Sequence, residues 1–170
     1  MIRQIVSPAK ALRTLRKTAA LLAAQLRDVS QDEARNRTDG PDGWSVLFIV
    51  CHLRDYEIVW RERVEQMLAA SNPTFASFDH HRAVEEHAYA AQNIAAVLAD
   101  LAARRAGLIE RLEGLADEQW LRTGVHPDQG PGTVLDVAVN AGLHDVDHLE
   151  QLLRCLSPRE GGRTPASATG

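Results

Sequence analysis

Residues 71–82 read SNPTFASFDHHR, and the length of this stretch decides how the chain folds. It opens on an Asn-Pro pair that stops a helix, and it separates two long segments of helical periodicity. A connection of this length can span about 40 Å when extended, whereas two neighbouring antiparallel helices need only a few linking residues. The helix before it, from Ser45 to about Ala70, would measure roughly 39 Å at 1.5 Å per residue. The link can therefore run back over a whole helix, which predicts that the next helix starts at the same end and lies parallel.

The second helix carries the stripe Ile49, His52, Tyr56, Val59, Arg63 and Met67. Upstream, Ser7-Pro8 is a helix start, a capping side chain followed by proline at the first helical position. Leu12, Leu15, Ala19, Leu22, Leu26 and Val29 then form one apolar face, and the polar run 31–43 ends this first helix near Ser30. Downstream, His87, Ala91, Ile94, Leu98, Leu101, Leu108 and Leu112 predict a third helix over 83–114. Residues 115–132 read as a connection with one short turn at ADEQW, and Thr133 caps a fourth helix that reaches about Leu156.

No segment alternates with period two for long enough to be a strand. The expectation is an all-α four-helix bundle in which a long crossover leaves the second and third helices parallel and the fourth returns antiparallel to them. It occupies residues 1–156, and the Gly/Pro/Ser/Thr-rich residues 157–170 read as a disordered tail.

Composition narrows the function. The chain of 170 residues suits one domain with a real core. Net charge is −4 and aromatic content is 5%, so neither phosphate neutralisation nor base stacking is indicated, and no nucleic-acid partner is expected. The apolar runs are too short for a membrane span and no cleavable leader is evident, which reads as a cytoplasmic protein with no membrane partner. Cys51 and Cys155 do not suggest a disulfide framework.

Histidines interrupt the apolar stripes. His144 and His148, four residues apart, share one face of the fourth helix. His52 lies about 10 Å into the second helix, and His148 about 12 Å from the end of the fourth. Antiparallel packing of those two helices brings His52 level with His148, with His144 one turn deeper. Three imidazoles with an open fourth position are the ligand set of catalytic zinc, whereas structural zinc is closed by four. Zinc is the first choice for this one divalent ion, with Ni, Fe or Mn as alternatives.

Two segments carry a family resemblance. GWSVLFIVCHLRDYE (43–57) resembles the W-S-x6-H-L-x-D-x-E signature of the DinB/YfiT-like metalloenzymes, and HDVDHLEQL (144–152) resembles their second signature, H-D-x-x-H-x-x-Q. The resemblance covers roughly residues 7–156. It implies a metal triad of His52, His144 and His148 in an up-down-down-up bundle, commonly a homodimer. It implies an enzyme acting on a small-molecule substrate, either a thiol S-transferase using bacillithiol or mycothiol as cosubstrate, or a hydrolase on the same triad. A non-catalytic metal-binding stress-response protein is the alternative.

Other residues near the triad complete the candidate set. Asp55 and Asp145 are candidates to orient an imidazole or act as a base. Tyr56, His87 and Gln151 are candidates for substrate contact, with a structural role the stronger reading for His87. His80, His81 and Asp147 read as solvated, His126 as a surface loop residue, Cys51 as an inert buried thiol, and Trp44 and Trp60 as core anchors.

Overall fold

The computed structural model describes residues 6–157. In chain order the elements are α1 (Pro8–Leu26), α2 (Gln31–Asn36), α3 (Val46–Ala69), α4 (His80–Glu86), α5 (Ile94–Glu113), β1 (Thr123–His126), β2 (Gly130–Thr133) and α6 (Val134–Leu156). The protein is mostly helical, and α1, α3, α5 and α6 make the four-helix bundle.

Each long helix starts where a side-chain oxygen meets an otherwise unpaired backbone N–H. Ser7 accepts from the amide of Lys10, Ser45 from Phe48, Asn93 from Ala96, and Thr133 from Asp136. Bridging side chains give the helix directions. Arg54 pairs with Asp100, Glu57 with Arg105 and Glu65 with Arg111, so α3 and α5 ascend together. Thr18 pairs with Asp145 and Gln25 with the Leu149 carbonyl, so α1 and α6 do likewise. Trp44 meets His148 while Trp60 meets His144, so α3 and α6 run in opposite directions.

The core has two apolar halves. One gathers Leu15, Trp60, Val64, Met67, Leu108 and Leu112, and the other Leu22, Leu26, Ile49, Leu53, Leu101 and Leu152. Between their levels lies a buried polar layer. Arg105, 3% exposed, donates to both carboxylate oxygens of Glu57 at 3.0 Å through Nε and to Asp145 at 2.6 and 2.9 Å, and Thr18 also bonds Asp145.

The structure corrects several expectations. The first helix ends at Leu26, and the polar run after it holds the short α2, opened by a reciprocal Ser30–Glu33 capping box. The third long helix starts at Ile94 rather than 83. Residues 80–91 form α4 and a single 3₁₀ turn, separated by Ala88 at φ 44°. The crossover between the long helices α3 and α5 thus runs from 70 to 93, longer than the twelve residues expected. Residues 123–133, read as having no strand, form an antiparallel hairpin pairing Thr123 with Thr133 and His126 with Gly130. Gly124 lets it pack closely, because a Cβ there would lie 2.5 Å from the Phe75 ring.

Among the described residues no helix is long and apolar enough to cross a membrane. The expected tail, beyond Ser157 itself, lies outside the described residues.

Candidate metal centre

α3 brings His52 to face His144 and His148 on α6. One ring nitrogen from each residue lies within 4.8 Å of the others. His52 Nε2 and His144 Nε2 are 3.1 Å apart, and the three ring centroids are separated by 4.5–5.1 Å. The enclosure is aromatic. Tyr56 lies 4.7 Å from the His52 ring and 4.3 Å from His144, and Trp44 stacks parallel to His148 at 6.5 Å. Phe78, from the crossover, closes on Tyr56 at 4.7 Å.

These rings are held neutral. Burial, reinforced by the neighbouring histidines, pushes His52 down to about 2, and burial with His148 and Arg105 pushes His144 down to about 3. Burial also lowers His148, against the opposing hydrogen bond to Gln151. The Nδ1 atoms of His52 and His144 are buried with no hydrogen-bond partner. His148 differs, because its Nδ1 lies 2.8 Å from Gln151 Oε1. The amide oxygen can only accept, so Nδ1 carries the proton and Nε2 presents a lone pair to the other two rings. Neutral imidazoles with converging nitrogens fit a divalent ion.

The other residues singled out from the sequence divide sharply. Tyr56 does face the triad. Gln151 reaches it too, though its oxygen orients His148 rather than standing free for a substrate. Asp55 and Asp145 do not touch the imidazoles. The Asp55 carboxylate accepts from Arg54 at 2.8 Å, His87 Nδ1 at 2.7 Å and Tyr89 at 2.6 Å, and Arg54 leads the partners holding it below the usual carboxylate range against burial. Asp145 is taken by Arg105 and Thr18. Both carboxylates are thus engaged by other partners, which leaves neither to orient a triad imidazole.

His87 sits at the C-terminal cap of α4 and is exposed. With Arg54, Asp55 and Arg104 it lines a recess of about 440 Å³ that none of the three triad histidines lines. His80, read as solvated, instead lies 6.0 Å from the Trp44 ring at the rim. Trp44 and Phe78 were not recognised as site walls. Trp44 immediately precedes the helix cap, which was the available signal. Cys51 is buried and its thiol is pushed up to about 12, too high for a thiolate.

None of the curated proteins matches this sequence. Among solved structures, the chain is similar to YfiT from Bacillus subtilis, described as a probable metal-dependent hydrolase with an unusual four-helix bundle topology. The TM-score is 0.75 at 21% identity, with 91% of each chain covered, which establishes the shared fold. The family model of the DinB superfamily matches residues 7–152. The chain belongs to the DinB superfamily.

Proposed function

We propose that this protein is a metal-dependent enzyme in which His52, His144 and His148 hold one divalent ion, with zinc the first choice. The observation that carries the reading is the convergence of three neutral ring nitrogens within 4.8 Å inside an aromatic enclosure. A divalent ion held there would ionise a coordinated thiol or water near neutral pH. Gln151 fixes the tautomer and orientation of His148, and Tyr56, Trp44 and Phe78 exclude water from the reacting group.

Transfer of a low-molecular-weight thiol, such as bacillithiol or mycothiol, to an electrophilic small molecule is the leading reaction. One feature favours it over hydrolysis. Asp55 and Asp145, the two acids that the sequence offers as bases, are engaged by arginines, and a coordinated thiol, more acidic than a coordinated water, has the lesser need of a separate base. Hydrolysis on the same triad is the second reading, supported by the description given to the Bacillus protein.

The test is an assay of untagged protein against a panel of thiols with electrophiles, and against ester and amide substrates, before and after chelation. Thiol conjugation that disappears on chelation and returns with added metal is the expected result. Activity that survives chelation, or that is unchanged in His148→Ala, would refute the proposal.

A further inference from the structure

Four buried side-chain nitrogens among the described residues have no hydrogen-bond partner. Two belong to His52 and His144. The others, Trp60 Nε1 and Arg63 Nε, belong to residues that line one recess of about 140 Å³ between α3, the hairpin and α6. The recess adjoins the triad through Trp60, whose ring centroid is 5.7 Å from that of His144.

Arg63 is 6% exposed and makes no hydrogen bond or ion pair among the described residues. Its guanidinium lies 5.3 Å from the Trp60 ring and 5.5 Å from the Phe75 ring. The two aromatic faces stabilise the cation but supply no acceptor for its N–H groups. Every other buried arginine here has a carboxylate: Arg54 has Asp55, and Arg105 has Glu57 and Asp145. A buried guanidinium left without one is costly, and burial accordingly lowers the Arg63 pKa.

Among the described residues, the rest of the lining supplies no carboxylate within hydrogen-bond distance of Arg63. Asp136 is the carboxylate in the wall, and its Oδ2 is held by the Thr133 amide at 2.8 Å and hydroxyl at 2.6 Å. His126 Nδ1 accepts from the amides of Asp128 at 3.1 Å and Gln129 at 3.3 Å. The neutral His126 ring therefore carries its proton on Nε2 and is a donor. Asn140, one turn before His144, also lines the recess, and its amide N–H2 donates to Gln129 Oε1 at 3.4 Å.

We propose that this recess is a carboxylate-binding subsite, in which Arg63 pairs with the carboxylate of a small organic acid whose remainder extends past Trp60 to the triad. The carboxylate pairing stands on the recess alone, while the placement of the reacting end rests on the metal-dependent reading above. The volume is roughly ten times the 10–15 Å³ needed by one water, which suits a carboxylate on a short stem. A single planar guanidinium between aromatic walls matches a planar monoanion in two-pronged fashion, whereas a phosphate dianion would call for a second cation.

The probes are propionate, propionamide and inorganic phosphate, titrated calorimetrically into the full chain and its Arg63→Met and Arg63→Gln variants. Propionate should bind the wild type, propionamide should not, and either variant should weaken propionate by about tenfold or more. Without ligand, Arg63→Met should melt no lower than the wild type, because an unpaired buried charge has been removed. Propionamide binding as tightly as propionate, phosphate binding more tightly, or undiminished propionate affinity in both variants would overturn the subsite. His148→Ala should bind propionate as the wild type does. If the wild type proves to hold no metal and propionate still binds through Arg63, the metal reading falls and the subsite stands.

Discussion

Acidifying the metal-free protein should destabilise it by a calculable amount, because two of its histidines are buried in their neutral form. Burial holds His52 at about 2 and His144 at about 3, against about 6.5 for an unfolded chain. Between those limits the unfolded state binds a proton on each ring and the folded state does not, so stability falls as pH drops below about 6.5 and is level above about 7.5. Going from pH 7.5 to 5.5 costs about 1.4 kcal/mol per ring, or about 3 kcal/mol for the pair. His148, lowered in the same sense, adds to the loss. With a urea m-value near about 2 kcal/mol/M, the unfolding midpoint should drop by roughly 1.5 M. The assay is urea unfolding followed by far-ultraviolet circular dichroism in a chelator, with the double variant His52→Gln/His144→Gln as reference. A wild-type pH slope equal to that of the double variant, or stability rising on acidification, would refute the claim that these rings are buried neutral.

Arg105→Met should destabilise the protein by about 3–5 kcal/mol in chemical denaturation, because it leaves Glu57 and Asp145 buried without their cation. A loss under 1 kcal/mol would show that the layer is hydrated rather than closed. Gln151→Ala should weaken metal affinity by about 10–100-fold in chelator competition while Gln151→Glu, which keeps an acceptor for His148 Nδ1, holds it. Equal affinity in all three proteins would remove Gln151 from the ligand shell. Light scattering should show a homodimer whose contact includes Leu143, Val146 and Leu153, the exposed apolar residues of α6. Val146→Arg should then yield monomers, and a monomeric wild type at micromolar concentration would rule the dimer out.

The bundle was legible because its long helices announce themselves through stripes and caps. Ser7, Ser45 and Thr133 cap where the sequence placed them. The onset of α5 was not, because the alanine-rich run before it has high helix propensity and no visible break. What breaks it is tertiary: Tyr89 is buried and its hydroxyl donates to Asp55, while Ala88 turns at φ 44°. Asn93, which caps the true start, was the signal available. The hairpin escaped because its strands hold three glycines and a proline, leaving no alternation to read. At the site, the three histidines were legible from spacing and helix level. The partners of Asp55 and Asp145 were not, since they are settled by which helices pack together, and so is the isolation of Arg63, which sat unremarked on the second-helix stripe.

Metal content of the purified chain and two of its histidine variants tests the central claim most directly. Protein prepared without an affinity tag and exchanged free of loose metal should carry about one divalent ion per chain, as one set of three imidazoles would hold. His148→Ala should lose most of it while keeping its helix content, and His87→Ala, whose ring is bound to Asp55 away from the triad, should keep it. Full occupancy in His148→Ala, or loss in His87→Ala, would contradict the assignment of His52, His144 and His148 as the ligands.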